Sequence, residues 1–428
     1  MKAAIFTLGC KVNQYESQEM TEALVKNGYF VVDSKETADV YIINSCTVTA
    51  ESNRKTRQAV RHYKAKNPNA VVVLTGCVPQ AFPDEATAIT EADIILGNKN
   101  NYKLIESLNK WFNEKNTICN ITMHENDDSY NGGIINNFEG HTRAFLKIQD
   151  GCNRFCTYCA IPYARGRSRS KPIEDIKKEL QNLAANGFKE VVFVGINLSA
   201  YGRDINLTLS DAVKAAENTD GIERVRLGSL EPDHITDEMI DIFASCKKFC
   251  PQFHISLQSG CDTVLKRMNR HYDTAYYRHL TEKLRSVFED TSITTDIIAG
   301  FPGETDKEFE DTINFVKEIC FDKVHVFPYS IREGTKAAKM QGHLQNSIKS
   351  KRAAILSEIC EEIRKNNFSK NKGKTVSVLF EVPKKGYQCG YTANYTPIKV
   401  QTDENLTGEI RNVLITQTED DSCIGTLM

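Results

Sequence analysis

No apolar run in this sequence approaches the roughly 18 residues that a membrane-spanning helix needs, so no membrane segment is predicted. The start of the chain, MKAAIFTLGCKVNQ, has no cleavage-like site and is read as a strand instead of a targeting segment. Repeats at solenoid periods and low-complexity tails are lacking too, which argues against a repeat protein. The net charge is only −2, so a nucleic acid would have to bind local basic patches.

The length of 428 residues favours two or three domains, and 40% hydrophobic with 26% charged residues is typical of a globular protein. Cysteine, by contrast, is plentiful: the chain has 14. Without an export signal, this number indicates metal chemistry in a reducing compartment, expected to be the cytoplasm, and not a disulfide framework.

The densest cysteine cluster is DGCNRFCTYCA at 150–160, where Cys152, Cys156 and Cys159 have C-x3-C-x2-C spacing. Three thiolates this close can hold three corners of a cuboidal iron–sulfur cluster, which leaves the fourth iron open to bind and reduce a substrate. Phe155 and Tyr158 inside the motif would shield the cluster from water. Cysteines that merely pack are the alternative, and a zinc site is disfavoured because no fourth ligand lies nearby.

Residues 1–125 alternate strand-like and helix-like segments. The strands are AAIFTLG, DVYIINS, AVVVLTG and ADIILG, and the helices are expected at about 14–26, 50–66, 80–90 and 101–112. This pattern predicts a parallel sheet with crossover helices, whose ligands gather at the carboxyl ends of the strands. Cys10, Cys46 and Cys77 occupy three such ends and suggest a second cluster, although each could also be a buried small hydrophobe.

Residues 126–140 are rich in Asn, Gly and Asp and are interpreted as a linker. From 141 to 370 the sequence contains six strand-like segments: AFLKIQDG, EVVFVGIN, RVRLGSLEP, FHISLQSG, ITTDIIAGFPG and KVHVFPYS. Helical segments separate them, and a long helix is expected at about 347–368. Six units predict an incomplete (β/α)6 barrel with its active face at the strand carboxyl ends.

Polar and small residues at these strand ends fit an adenosyl cofactor. The segments are GIN at 195–197, SLEP at 229–232 and GFPGE at 300–304, and Gln258 and Tyr329 end two further strands. Such a cofactor needs backbone contacts for the base and polar groups for the ribose and the amino-acid end. For Glu304 the alternative is a first-turn acid that favours the following helix.

Residues 371–428 form short alternating segments broken by Gly, Pro and Asn, which predict a small antiparallel β-barrel. Small barrels often bind RNA, and the aromatic and basic residues here allow it. They are Lys384, Lys385, Tyr387, Tyr391, Tyr395 and Lys399. Ordinary sheet tyrosines and solvated lysines are the alternative.

Two basic segments could hold RNA phosphates. Arg54, Arg57 and Arg61 recur on one helical face after Cys46, while Arg165, Arg167, Arg169 and Lys171 follow the 150–160 motif. A solvated helix face is the alternative for the first set. The remaining eight cysteines are interpreted as structural: Cys119, Cys246, Cys250, Cys261, Cys320, Cys360, Cys389 and Cys423.

These motifs together resemble the methylthiotransferase family of radical S-adenosylmethionine enzymes. The similarity rests on the C-x3-C-x2-C loop in a six-unit barrel and on TLGCKVNQYES, INSCTVT and TGCVPQ. It covers essentially the whole chain. It implies an amino-terminal cluster domain, a radical S-adenosylmethionine domain and a carboxyl-terminal RNA-binding barrel called the TRAM domain.

The resemblance implies two [4Fe-4S] clusters, a radical cluster on Cys152, Cys156 and Cys159 and an auxiliary cluster on Cys10, Cys46 and Cys77. One S-adenosylmethionine would methylate a sulfur on the auxiliary cluster, and a second would yield the 5′-deoxyadenosyl radical that removes hydrogen from the substrate. Contacts to S-adenosylmethionine are expected from Phe155, Tyr158, Asn197, Ser229, Glu231, Gln258, Arg270, Gly300, Glu304 and Tyr329. One departure is GIN where radical enzymes often have Gly-Gly-Glu, which shifts the amino-group ligand to Asn197.

Finer features resemble the branch that acts on N6-threonylcarbamoyladenosine beside the tRNA anticodon. After the cluster loop the sequence is basic, RGRSRS, whereas enzymes for isopentenyladenosine usually have an acidic RGEE-like continuation. Added arginines suit a substrate with a carboxylate, although they could equally hold tRNA phosphate. The isopentenyladenosine enzyme and a non-catalytic iron–sulfur RNA-binding or electron-carrier protein are the alternatives. The expected partners of a monomeric enzyme are the tRNA anticodon stem-loop and an electron donor such as flavodoxin or ferredoxin.

Overall fold

A computed structural model describes all 428 residues and confirms the predicted α/β class with a carboxyl-terminal β-barrel. None of its helices combines the length and the apolar character that crossing a membrane requires. Three regions follow one another along the chain, and each is built around its own sheet or sheets.

The first region is a six-stranded parallel sheet in the order β2-β1-β3-β4-β5-β6. Its strands are β1 Lys2–Thr7, β2 Phe30–Val31, β3 Val40–Ser45, β4 Val71–Gly76, β5 Ile94–Leu96 and β6 Ile118–Asn120. Its helices are α1 Lys11–Lys26, α2 Ala50–Lys66, α3 Cys77–Ala81, α4 Pro83–Thr87 and α5 Leu104–Glu114. The four predicted strands are present, and the short β2 and β6 were not predicted. The third predicted helix is split at Phe82, because Pro83 starts a new helix and cannot continue the old one.

Residues 126–140 contain no helix or strand, as predicted for this segment. They nevertheless pack against their neighbours. Ile135 and Phe138 are buried, and the backbone NH groups of Asn136 and Asn137 donate to Glu22 on α1. This segment therefore packs against the helix α1 of the first region.

The second region has six β/α units arranged in two sheet segments, ordered β11-β10-β7 and β12-β13-β14-β15. Its strands are β7 Arg143–Lys147, β8 Gln149–Asp150, β9 Arg169–Ser170, β10 Glu190–Val194, β11 Arg224–Leu227, β12 Ser229–Leu230, β13 Gln252–Ile255, β14 Ser292–Ala299 and β15 Lys323–Pro328. Its helices are α6 Ile161–Arg165, α7 Ile173–Ala185, α8 Leu209–Glu217, α9 Asp237–Ser245, α10 Asp262–Arg267, α11 Thr274–Val287, α12 Asp306–Ile319 and α13 Asn346–Ser369. All pairings in the two segments are parallel, so the strand carboxyl ends share one face.

The third region is a closed barrel in the order β16-β17-β18-β20-β19. Its strands are β16 Thr375–Phe380, β17 Gln388–Thr392, β18 Pro397–Val400, β19 Ile410–Thr418 and β20 Cys423–Leu427. It contacts the amino ends of the central strands. There Arg224 donates to the backbone oxygens of Ser377 and Tyr391, and Arg226 donates to that of Ala393.

Glu190 is the buried counterion that the arginines beneath this contact share. Its fully buried carboxylate lies 2.9 Å from Arg226, 3.6 Å from Arg224 and 4.0 Å from Arg143. Although burial opposes ionisation, these guanidinium groups hold the pKa of Glu190 below its usual range. The small barrel is thus attached through a buried ionic cluster.

We expect Glu190→Ala to lower the free energy of unfolding by about 3–5 kcal/mol, because it leaves buried cations without their counterion. The matched control is Glu223→Ala, which removes a partly exposed ion pair with Lys189 and is expected to cost less than about 1 kcal/mol. Thermal unfolding under anaerobic conditions measures both. Equal midpoints for the two variants would show that Glu190 does not hold the barrel in place.

Candidate functional site

The three predicted strand-end cysteines come together at one edge of the first sheet. Cys10, Cys46 and Cys77 follow β1, β3 and β4, which are adjacent, and the register aligns the ends of these strands. Gly9 lets the first two approach closely: a Cβ at this position, where φ is +116°, would lie 2.7 Å from the Cβ of Cys46 and 3.1 Å from its sulfur. A side chain there would fill the space that brings the thiols together.

Buried amides fix these strand ends, and the sequence analysis did not identify them. Asn13 Nδ2 donates to Asn44 Oδ1 at 3.1 Å and to the backbone oxygen of Ser45 at 3.0 Å. The Cys10 thiol donates to Asn13 Oδ1 at 3.2 Å. Their only signal in the sequence is that Asn13 and Asn44 are polar residues near Cys10 and Cys46, where a buried sheet would favour apolar ones.

The thiols suit a metal cluster chemically. Burial raises the pKa of Cys77 to about 12, against the opposing Arg165 guanidinium, and burial also raises the pKa of Cys46. Such thiols stay protonated until a metal displaces the proton. No three His, Cys, Asp or Glu side chains are grouped so that they could hold a single metal ion. In a cuboidal cluster each thiolate binds a different iron, and the donor set of three thiols fits that arrangement.

The 150–160 loop holds the second set of thiols. Gly151 has φ +73°, and a Cβ there would lie 1.9 Å from the backbone oxygen of Arg167, so only glycine fits. The backbone NH of Cys152 donates to the oxygen of Gly166 at 3.0 Å, which closes the loop. Burial raises the pKa of Cys152 to about 11 and that of Cys159 to about 12.

Several predicted cofactor residues surround this loop. Asn197 Nδ2 lies 3.9 Å from the sulfur of Cys152, and Arg270 Nη1 donates to the sulfur of Cys156 at 3.1 Å. Glu231 pairs with Arg270. Asn197 Oδ1 and the Tyr329 hydroxyl are buried without a hydrogen-bond partner. Such unpaired polar atoms are costly and indicate a polar ligand at this face.

The other predicted cofactor residues differ in their surroundings. Tyr158 contacts Phe301, which contacts Tyr329, so two of the three predicted aromatic residues belong to one aromatic chain. Gln258 has a left-handed backbone, φ +69°, at the end of β13. Phe155 lies under the Arg167 guanidinium, and Ser229 is exposed.

Glu304 is engaged by its own chain. Its carboxylate is buried, accepts from the backbone NH of Gly300 at 3.1 Å and pairs with Arg352 at 2.6 Å. These contacts fix the GFPGE turn. Glu304 precedes Thr305, the N-cap of α12, and its carboxylate contacts Gly300 and Arg352 instead of the first turn of that helix, so the helix-start alternative does not describe its role.

Arg165 was predicted to bind RNA, and the structure places it elsewhere. Its side chain is 0% exposed and pairs with Glu16 on α1, with Nη2 at 3.0 Å. Its Nε donates to the sulfur of Cys77 at 3.2 Å. A tRNA phosphate cannot reach a fully enclosed guanidinium, so this assignment is corrected: Arg165 joins the 150–160 loop to the strand-end cysteines.

The same network contains further buried charges. Lys147 lies 2.9 Å from Glu16 and 2.7 Å from Asp150, and Asp150 also lies 3.5 Å from Arg165. Despite burial, the Lys147 and Arg165 cations hold the pKa of Asp150 well below its usual range. Arg169, another predicted RNA ligand, is buried too and donates to the backbone oxygens of Arg165 and Arg167.

Lys171, also a candidate for RNA phosphate, is fully buried and pairs with Glu179, whereas most of the other predicted RNA-binding residues lie at or near the surface. Arg54, Arg57 and Arg61 each pair with a carboxylate, namely Glu51, Glu85 and Glu91. Arg167, Lys384 and Lys385 are exposed, and Tyr387 is half-buried. Tyr391 and Tyr395, in contrast, stack on the Arg143 guanidinium at 4.9 Å each and belong to the contact with the central strands.

Comparison with protein families matches two parts of the chain. Residues 146–316 match the radical SAM superfamily, and residues 2–97 match the uncharacterized protein family UPF0004. These matches contain all six predicted cluster cysteines.

Curated relatives cover nearly the whole chain. The Threonylcarbamoyladenosine tRNA methylthiotransferase MtaB of Thermotoga maritima is 38% identical over 98% of this chain and 95% of its own. The protein of that name from Bacillus subtilis is 36% identical over 96% and 93%. The tRNA-2-methylthio-N(6)-dimethylallyladenosine synthase of Clostridium botulinum is 36% identical over 98% and 96%.

Among solved structures, the radical S-adenosylmethionine methyltransferase TsrM from Kitasatospora setae has a similar fold. The TM-score is 0.58 at 14% identity, with 79% of this chain and 75% of that chain covered. At this identity the likeness concerns the fold alone.

We expect Arg165→Met to destabilise the protein by about 3–5 kcal/mol, because it removes one partner of the buried Arg165–Glu16 ion pair. Arg167→Met, two positions further and exposed, is the control and is expected to cost within about 0.5 kcal/mol. Thermal unfolding of both apo-proteins under anaerobic conditions tests this. A shift confined to the Arg167 variant would contradict the assigned role of the buried network.

Proposed function

Because the chain belongs to the tRNA methylthiotransferase family of radical S-adenosylmethionine enzymes, we propose that it methylthiolates C2 of N6-threonylcarbamoyladenosine next to the tRNA anticodon. The relatives named for this substrate are 36–39% identical to it. Relatives named for dimethylallyladenosine, at 35–36%, define the competing substrate.

The observation that carries this proposal is the contact of Arg165 with Cys77. Arg165 ends the helix α6 that follows the 150–160 loop, and its Nε donates to a thiol of the strand-end set at 3.2 Å. Arg165 thus joins the helix that follows the 150–160 loop to a thiol of the strand-end set. This supports the idea that the two sets serve one reaction instead of two separate tasks.

The family and the thiols together support two [4Fe-4S] clusters. We assign Cys152, Cys156 and Cys159 to the radical cluster and Cys10, Cys46 and Cys77 to the auxiliary cluster. When bound, the clusters and S-adenosylmethionine supply the sulfur, the methyl group and the radical. The chain's own residues would support the clusters through hydrogen bonds to the ligand sulfurs, since Arg270 donates to the sulfur of Cys156 and the buried Arg165 to that of Cys77.

The polar atoms without partners mark where S-adenosylmethionine would be held. We propose that Asn197 Oδ1 and the Tyr329 hydroxyl accept or donate hydrogen bonds to it. Tyr158, Glu231, Gln258 and Gly300 lie on the same face and complete the proposed pocket. The aromatic chain from Tyr158 to Tyr329 would exclude water from it.

For the tRNA, exposed cations supply contacts to the phosphate backbone. We propose Arg54, Arg57, Arg61, Arg167, Lys384, Lys385 and Tyr387 for this surface. We further propose that the enzyme acts as a monomer in the cytoplasm, where tRNA is, and that flavodoxin or ferredoxin supplies the electron for cofactor cleavage.

The substrate is tested by mass spectrometry of tRNA nucleosides from cells that lack the protein. We expect loss of the methylthio form of N6-threonylcarbamoyladenosine, with the unmethylthiolated nucleoside accumulating. Re-expression of the wild-type chain restores it, and the Cys152→Ala chain serves as the inactive control. Loss of the methylthio form of isopentenyladenosine instead would overturn this substrate assignment and identify isopentenyladenosine as the substrate.

The clusters are tested by anaerobic reconstitution. Wild type should bind about eight irons per chain, and the triple variants lacking either cysteine set about four. Replacing Cys152, Cys156 and Cys159 should abolish formation of 5′-deoxyadenosine from S-adenosylmethionine, whereas replacing Cys10, Cys46 and Cys77 should spare part of it. A wild-type content of about four irons per chain would contradict the presence of an auxiliary cluster.

A further inference from the structure

A large cavity extends from Cys10 into the interior of the central region. Its volume is about 1280 Å³, and Cys10 is the one of the six cluster cysteines that lines it. Central strands contribute Arg226, Ser229 and His254 to its wall, and the small barrel contributes Tyr395. A base that enters this cavity can therefore reach the auxiliary site at Cys10.

Lys11, the residue after Cys10, also lines this cavity and has no partner of its own. Its ammonium forms no ion pair or hydrogen bond with the protein, and it lies 5.7 Å from the centre of the Phe145 ring. The nearest arginines have counterions of their own, since Arg226 pairs with Glu190 at 2.9 Å and Arg143 pairs with Glu381 at 2.7 Å. Beside Cys10, the exposed Lys11 is therefore the cation of the cavity wall that has no ion pair.

We propose that Lys11 binds the carboxylate of the threonyl group on the substrate base. This rests on the proposed function, because it requires a base that carries a threonylcarbamoyl group. An ammonium with no internal counterion is a favourable partner for a carboxylate, since a charge-assisted hydrogen bond is stronger than a neutral one. The ligand class is therefore an adenine with an anionic N6 substituent.

The chemistry of the base puts the carboxylate on this side of the cavity. The reacting carbon, C2, and the carbon that bears N6 flank the same ring nitrogen. A base that presents C2 to the auxiliary site at Cys10 thus directs its N6 substituent toward residues beside Cys10. The ribose and its phosphates are attached to the opposite edge of the base, away from Lys11.

An aromatic ring lies next to the ammonium. The buried Phe145 ring offers a face to the Lys11 cation at 5.7 Å. An uncharged prenyl group on the base would leave the ammonium without a counterion. Lys11 would thus discriminate between the two adenosine substrates by charge.

The test measures binding of anticodon stem-loop RNA to the reconstituted enzyme by fluorescence anisotropy. Three RNAs differ only at the target base: N6-threonylcarbamoyladenosine, its methyl ester and plain adenosine. Wild type is expected to bind the acid about 10-fold more tightly than the ester, the size of a charged hydrogen bond. Equal affinity of wild type for acid and ester would overturn the proposal without any variant.

The same binding measurement on variants tests whether Lys11 is the residue that contacts the carboxylate. Lys11→Gln should bind acid and ester equally, Lys11→Arg should keep the preference, and Lys26→Gln, on the same helix but exposed at its other end, should behave as wild type. Iron content and thermal midpoint verify that each variant is loaded and folded. An equal loss of affinity for all three RNAs would mean that Lys11 binds a phosphate, and an unchanged preference would mean that it binds neither.

Failure of this inference and failure of the proposed function give different results. If wild type methylthiolates the threonylcarbamoyl RNA and Lys11→Gln keeps the preference for acid over ester, only the role of Lys11 is overturned. If wild type does not methylthiolate that RNA, the proposed function itself is overturned.

Discussion

The two halves of the site depend on the buried ionic network around Arg165. Two carboxylates, Glu16 and Asp150, meet the cations of Lys147, Arg165 and Arg169, so one positive charge is left over. The Arg165 guanidinium that carries part of it faces the sulfur of Cys77. Charges this deeply buried are tolerated only when they are paired, and a thiolate on an iron cluster would complete the balance. The network also binds the helix α1 to the loop of Cys152, so the first sheet and the central region have a fixed relation.

Neither cysteine set could be held by its own segment alone. The strand-end set needs three neighbouring parallel strands in register, with glycine and amide residues where the backbone approaches a sulfur. The 150–160 set is local in sequence, yet its thiols contact Asn197 and Arg270 from distant units. The surroundings of each sulfur are therefore a tertiary property. Hydrogen bonds to the sulfurs are one of the ways in which proteins set the reduction potential of a cluster.

Charge pairing separates structural cations from those available to a ligand. Arg165 and Arg169 are buried and Arg226 pairs with Glu190, so none of them is available to a phosphate. The clustering of arginines after the 150–160 loop was therefore a poor guide to RNA contact. Lys11 received no role from the sequence, but it lines the cavity unpaired beside Cys10. The sequence suggested that arginines after the 150–160 loop bind the carboxylate of the substrate. Lys11, in the first region of the chain, is the better candidate for that contact.

The sequence by itself determined the α/β class, the terminal barrel and the family. These follow from local signals: strand and helix periodicity, turn residues, and cysteines at a spacing that few functions require. It also predicted that Cys10, Cys46 and Cys77 meet, because parallel strands share their carboxyl ends. Only the tertiary structure decided which charges are buried, that Glu304 serves its own turn, that Tyr391 and Tyr395 pack on Arg143, and that the loop 126–140 packs against α1. The sequence does not distinguish a charged side chain that faces water from one that pairs with a distant partner. Arg165 and Glu16, which are 149 residues apart, illustrate this, because burial and pairing arise only when distant segments pack together.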